Sequence, residues 1–156
     1  MEQPIRTWQA ILPSLFVLAA CSQEVPETTA EPAAPAVMAR SPSIEGARVY
    51  FITPSDGETV SSPVRLEFGL SGMELAPAGT ERPNSGHHHI IIDHELPGFS
   101  LPVPADTKRV HFGDGRSETE LALGPGQHTL QLLFADHLHI PHDPPIYSEQ
   151  ISITVE

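Results

Sequence analysis

From residue 47 onward the chain consists of short runs in which apolar and polar residues alternate. In VRLEFGL (64–70) every second residue is apolar, and the residues between them are Arg, Glu and Gly. Successive side chains of a β-strand point to opposite faces, so this spacing is typical of a strand buried on one face. The alternation restricts residues 47–156 to an all-β fold, because no helical periodicity competes with it.

Six further runs of this kind are separated by the turn sequences TPSDGE, GDGR, GPG and HDPP. They are ARVYFI (47–52), HHHIIID (87–93), KRVHF (108–112), ETELAL (118–123), QHTLQLLF (127–134) and EQISITV (149–155). About seven short strands with turns between them favour an antiparallel β-sandwich of the immunoglobulin or fibronectin kind. A small barrel is the alternative.

The N-terminal residues 1–20 have the features of a signal peptide. The apolar run AILPSLFVLAA (10–20) has the length of a signal core and is too short to span a bilayer. It is followed by Cys21, the single cysteine of the chain. The residues LAAC (18–21) resemble the lipobox of bacterial lipoproteins, which implies cleavage before Cys21 and lipidation of that residue. A soluble secreted protein with an incidental cysteine is the alternative.

Ser22 follows the cysteine, and an Asp at that position is the usual signal for retention in the inner membrane. The resemblance therefore favours a lipid anchor in the outer membrane, with the protein facing the periplasm. Residues 22–46 are rich in Pro, Ala, Glu and Thr and show no apolar periodicity. Such a segment cannot bury enough apolar surface to offset the entropy of ordering. We predict that residues 21–46 form the lipidated cysteine and a disordered tether, and residues 47–156 the sandwich domain.

The formal net charge is −12. A nucleic-acid partner is excluded on this ground, because phosphate backbones require Lys and Arg. Cations are the natural counterpart of such a field.

The most unusual sequence is GHHHIIID (86–93). In a strand, His87, His89 and Asp93 would share one face, and His88 would point the other way. Residues two apart on a strand are about 6–7 Å apart at Cα, close enough for both rings to bind one ion. We expect the isoleucines of this strand to lie in the core and the histidines near its solvent-exposed rim.

A second histidine-rich segment, DHLHIPHDP (136–144), follows the QHTLQLLF strand. If the two segments meet at one end of the sandwich, their imidazoles could bind Zn(II) or Cu(II). The candidate ligands are His87, His89, His137, His139, His142 and Asp93. Three further residues, His88, His94 and Asp136, could orient the ligands by hydrogen bonds.

The alternative is that the histidines are structural and hydrogen-bonded. The domain would then bind another envelope protein or a glycan through its two long loops, at 71–85 and 94–107.

The sequence contains only weak indications of a catalytic site. Ser85, the histidines and Asp93 include the residue types of a catalytic triad, but no nucleophile elbow accompanies them. Glu118 and Glu120 alternate on one strand face, as solvated acidic residues commonly do. GDGR (113–116) lacks the spaced oxygen ligands of a calcium loop. We therefore predict that the chain is not an enzyme.

Four motifs in this order resemble an uncharacterised family of exported bacterial domains, domain of unknown function 4399. They are GHHHIIID (86–93), HFGDGRSETEL (111–121), GPGQHTLQLLFAD (124–136) and HIPHDPPIYS (139–148). The resemblance implies a β-rich exported domain. It implies no activity and no catalytic residues.

Overall fold

The computed structural model describes residues 38–156. The predicted signal peptide, Cys21 and most of the predicted tether lie outside the described residues. Within the described part there are ten strands and no helix, and therefore no helix that could cross a membrane. The strands are β1 (Arg48–Thr53), β2 (Thr59–Val60), β3 (Val64–Ser71), β4 (Glu74–Leu75), β5 (Ser85–Ile92), β6 (Arg109–His111), β7 (Glu118–Leu121), β8 (Gly126–Ala135), β9 (Pro141–Tyr147) and β10 (Ile151–Val155).

The strands form two sheets, which confirms the predicted all-β sandwich. The small sheet has the order β1-β3-β7 and is antiparallel throughout. The large sheet has seven strands, with the order β2-β10-β8-β5-β4 and with β6 and β9 paired to β5 and β8. The short strands β2 and β4 pair in parallel with β10 and β5, so the large sheet is mixed.

All seven predicted strands are present, and three more accompany them. The strands β2 and β4 have only two residues each, too few to show an alternating pattern. The sequence of β9, PHDPPIY, contains three prolines, which lack the N–H needed for a regular ladder. Accordingly, β9 pairs with β8 through a shifted register between Phe134 and Ala135.

The main core lies between the two sheets and is formed by alternate residues of each long strand. Its buried members include Val49, Val64, Leu66, Phe68, Ile90, Ile92, Leu130, Leu132, Phe134, Ile151, Ile153 and Val155. The remaining alternate residues point to the outer surfaces of the sheets. Strand β5 lies in the middle of the large sheet, between β8 and β6.

A second, smaller core covers the outer face of the large sheet. Val103, Leu133 and Ala135 are buried there, and Leu96 and Phe99 pack against them. The loop at 94–107 therefore covers the sheet. The backbone N–H of Val103 donates to the carbonyl of His139 at 2.8 Å and so joins this loop to the turn after β8. As a result all eight residues of β5 are buried. The expectation that its histidines lie at an exposed rim was therefore wrong.

Candidate metal centre

The first two histidines of the candidate site are placed by the register of β5 against β8. His87 pairs with Ala135, and His89 pairs with Leu133. Cross-strand partners share a face of the sheet. Ala135 and Leu133 belong to the second core, so His87 and His89 point to the covered outer face. They are 0% and 1% exposed.

A third histidine comes from the neighbouring strand on the other side of β5. His111 of β6 is the direct partner of His89, with Val110 opposite Ile90. His111 therefore projects from the same outer face as His89 and His87. Unlike them it is exposed to solvent, so the group is open on the side of β6.

The fourth histidine lies in the tight turn that joins β8 to β9. His139 has a positive φ of 66°, which is uncommon for a residue with a side chain. Its N–H donates to the carbonyl of Asp136 at 2.9 Å. The Asp136 carboxylate accepts from the N–H groups of Leu138 and Ile140 at 2.9 and 3.0 Å. These bonds stabilise the turn that aims the His139 ring at β5.

The four rings are neighbours, and the centroids of every pair are 4.8–5.7 Å apart. One ring nitrogen from each of His87, His111 and His139 lies within 4.8 Å of the others. The Nε2 atoms of His89 and His87 are 3.1 Å apart, and those of His139 and His111 are 3.2 Å apart. Two nitrogens bound to one tetrahedral Zn(II) at 2.0–2.1 Å would be about 3.3 Å apart. Both measured separations are close to that value.

Burial favours the uncharged form of three of these imidazoles, those of His87, His89 and His111. Desolvation, followed by the nearby rings of His139 and His111, lowers the pKa of His87 to about 4. Desolvation and the rings of His87 and His111 lower the pKa of His89 to about 2. Desolvation and His139 also lower the pKa of His111. The neutral imidazole is the form that binds a metal ion.

The position of His111 depends on the glycine two residues after it. A Cβ added at Gly113 would lie 2.3 Å from Nε2 of His111 and 2.6 Å from its Cε1. No side chain larger than hydrogen fits there while the ring keeps its place. Gly113 therefore allows the imidazole to lie across the backbone.

Three of these four histidines were predicted from the sequence, and the fourth was missed. His87, His89 and His139 were predicted ligands, and the structure places them in one group. His111 was not proposed, although it stands between Val110 and Phe112 in KRVHF (108–112) and would point away from both in a strand. The missing information was the pairing of β6 with β5, which puts His111 opposite His89. The sequence signal was a short strand in which a histidine alternates with apolar residues, so that its side chain lies on the other face.

The other predicted ligands are placed elsewhere. His142 is buried and stacks on Phe134, with ring centroids 5.5 Å apart. His137 lines a separate recess beside Ser41 and Arg82. The Asp93 carboxylate accepts from the N–H of Thr129 and lies 2.8 Å from Nδ1 of His128. None of these three belongs to the group of converging imidazoles.

The residues predicted to orient the ligands also differ in their positions. His88 points into the main core, where its ring lies 5.3 Å from that of Phe68 and 5.4 Å from that of Phe134. His94 is exposed at the start of the covering loop. Asp136 is buried and stabilises the turn that carries His139. It therefore acts on His139 through the backbone of the turn.

Comparison with known protein families gives one match. The family described as Domain of unknown function (DUF4399) matches residues 66–156. The chain belongs to this family. The matched region contains all four converging histidines and Asp136, and it begins within β3, so it omits β1 and β2. The comparisons with curated proteins and with solved structures gave no significant match.

Proposed function

We propose that this member of the family binds a divalent transition-metal cation, Zn(II) or Cu(II). The ligands are ring nitrogens of His87, His111 and His139, with His89 as the fourth. The observation that supports this most directly is the convergence of three ligand atoms, from β5, β6 and the β8–β9 turn, within 4.8 Å of one another.

The donor set favours these metals over others. Imidazole nitrogen suits Zn(II) and Cu(II), whereas Mg²⁺ and Ca²⁺ take oxygen ligands. The chain has one cysteine, which is the predicted lipidation site, so no thiolate is expected at the site. Four imidazoles match tetrahedral Zn(II) or a flattened arrangement around Cu(II). Sequestration or delivery of the ion fits a site whose protein ligands fill the coordination shell.

The competing explanation is hydrogen bonding between rings. A neutral imidazole has one N–H and one acceptor nitrogen, so His87 with His89, and His111 with His139, can each form an N–H···N bond at the measured distances. However, the ring centroids of His87 and His139, one from each pair, are 4.9 Å apart. We favour a shared ion because ring nitrogens of His87, His111 and His139, which come from both pairs, lie within 4.8 Å of one another.

Isothermal titration calorimetry with Zn(II) and with Cu(II) tests the proposal on the chain that begins at residue 22. We expect micromolar or tighter binding of one ion per chain. His87→Ala and His111→Ala should each weaken binding at least 10-fold, since each removes one ligand. His137→Ala and His94→Ala are matched controls that remove histidines outside the group.

Two results would contradict the proposal: no heat of binding in the wild type, or equal losses in the control variants. Absence of metal binding would favour the alternative function. The domain would then bind an envelope protein or a glycan, and its histidines would be structural.

We also propose that the domain is held at the outer membrane, facing the periplasm, by a lipid on Cys21. The lipobox-like LAAC (18–21) and the proline-rich segment after it support this location. Metabolic labelling with an alkynyl palmitate should mark the wild-type protein and leave Cys21→Ser unmarked. Equal labelling of both would contradict the anchor.

A further inference from the structure

The turn between β8 and β9 (136–140) carries His139 and is the metal-binding turn of the proposed site. It lies next to residues 40–43, which precede β1. We propose that Ser41 and Asp136 are positioning residues for His139. The segment 40–43 stabilises, by hydrogen bonds, the turn that carries this ligand. The inference rests on the proposed metal function. It assigns a role in metal binding to residues from the end of the predicted tether, where no ligand lies.

Asp136 is the centre of the turn. It is 3% exposed, and its Oδ1 accepts from the N–H groups of Leu138 and Ile140. Its backbone also closes the turn, because its carbonyl accepts from His139 and its N–H donates to the carbonyl of Ile140 at 3.0 Å. His139 lies between the two bonded amides and has a positive φ. The carboxylate therefore stabilises a backbone conformation that His139 would rarely adopt alone.

The second oxygen of Asp136 is bound by Ser41. The hydroxyl of Ser41 donates to Oδ2 at 2.7 Å, which fixes the rotation of the carboxylate so that Oδ1 faces the turn. The Asp136 carboxylate is thus bound by Ser41 through one oxygen and by two backbone amides through the other. These bonds restrict the conformation of the turn. Outer residues that orient a metal ligand in this way commonly change metal affinity 10- to 100-fold when removed.

Ser41 is itself held against β9 by backbone pairing. Its carbonyl accepts from the N–H of Asp143 at 2.9 Å, and the carbonyl of Asp143 accepts from the N–H of Ser43 at 3.0 Å. Arg40 adds side-chain bonds from its guanidinium to the carbonyls of Pro141 and His142. The segment 40–43 thus adds a short parallel pairing to β9, at the point where β9 leaves the metal-binding turn.

The chain offers a matched control for Ser41. Ser43 lies on the same segment, and its hydroxyl donates to the carbonyl of Pro144 at 2.8 Å without contacting Asp136. Ser41→Ala and Ser43→Ala each remove one hydroxyl and one hydrogen bond from the same pairing. Only the first removes the bond to the turn. Ser41→Thr keeps the hydroxyl and serves as the rescue variant.

Three measurements on the chain from residue 22 test the inference. In Ser41→Ala the Zn(II) dissociation constant should rise about 10-fold, and the amides of Leu138 and Ile140 should exchange hydrogen faster without metal. The Cu(II) electron paramagnetic resonance spectrum should also change, because the His139 ring is less well held. Ser43→Ala and Ser41→Thr should resemble the wild type in all three.

Equal affinity and equal amide exchange in Ser41→Ala and Ser43→Ala would overturn the inference while leaving the metal function intact. A wild type that binds no metal would instead contradict the proposed function and the affinity effect together. Amide exchange in the metal-free protein would still decide whether Ser41 holds the turn. Thermal melts of each variant separate a local effect from global unfolding.

Discussion

At the level of single residues, the histidine triplet of β5 divides between two environments. His87 and His89 point to the covered outer face and take part in the candidate metal centre. His88 points to the main core between Phe68 and Phe134, and neither of its ring nitrogens has a hydrogen-bond partner among the described residues. Burial accordingly lowers the pKa of His88 to about 4. Adjacent histidines of one strand therefore lie in different environments.

Replacing His88 by methionine should raise the free energy of unfolding by about 1 kcal/mol. The reason is that an unpartnered buried polar group costs about 1–3 kcal/mol, and a flexible thioether of similar size fills the same space. Urea denaturation of wild type and His88→Met measures the change. Zinc affinity should be unaltered because His88 faces away from the site. A less stable variant, or one with weakened zinc binding, would contradict this assignment of faces.

A second prediction concerns Gly113. In Gly113→Ala the new methyl group would overlap the His111 ring, which must therefore move. We expect zinc affinity to fall at least 10-fold, as for loss of a ligand. Gly98→Ala is the control, since nothing lies within 4 Å of a Cβ added there. Calorimetric titration of both variants is the measurement, and equal affinities would show that the placement of His111 is unimportant.

At the level of strands, the sequence predicted which face of a strand each side chain occupies, but not which strands lie next to each other. Alternation correctly placed His87 with His89 on one face of β5, and it showed that His111 points away from the core. Register is a property of two strands, so the pairing of His89 with His111 could not be read from either strand alone. The same limit applies to β9, whose prolines hid a strand that pairs with β8.

The strand β8 also carries a histidine–carboxylate contact outside the candidate metal centre. His128 lies with Nδ1 2.8 Å from the Asp93 carboxylate and Nε2 2.9 Å from the carbonyl of Gly124. Both partners are acceptors, so the doubly protonated ring satisfies both, and the pKa of His128 is raised, first by the bond to Asp93. A raised pKa stabilises the fold below about pH 6.5, and this stabilisation is lost as pH rises through the folded value.

The variant His128→Gln should therefore be less stable than the wild type at pH 5.5, by less than about 1 kcal/mol because the contact is near the surface. The difference should shrink by pH 8.5. Denaturant titrations of both proteins at the two pH values measure it. A difference that is the same at both values would show that the charge of His128 does not contribute.

At the level of the whole molecule, the sandwich leaves one face of the large sheet to be covered by loops. The loop at 94–107 and the β8–β9 turn cover this face and join at the bond from Val103 to His139. The all-β architecture could be predicted from the sequence because alternation is local. The candidate site could be predicted only in part, because residues 87, 89, 111 and 139 meet through long-range packing. Segments without periodicity, such as 94–107, gave no indication of which surface they cover.

Because the site is built from three separate elements, a bound ion should stabilise the whole fold. At a free zinc concentration 100 times the dissociation constant, the stabilisation should be about 2.7 kcal/mol. Differential scanning calorimetry with zinc and then with excess chelator should show a rise and a fall of the melting temperature. His87→Ala should show neither. A melting temperature independent of zinc would contradict binding to the folded state.

The most direct test of the central claim is X-ray absorption at the zinc edge on the zinc-loaded domain. The account predicts three or four nitrogen neighbours at 2.0–2.1 Å, with the outer-shell scattering characteristic of imidazole rings. In His111→Ala the number of imidazoles should fall by one. A spectrum dominated by oxygen ligands, or one that is unchanged in this variant, would contradict a metal centre built by these histidines.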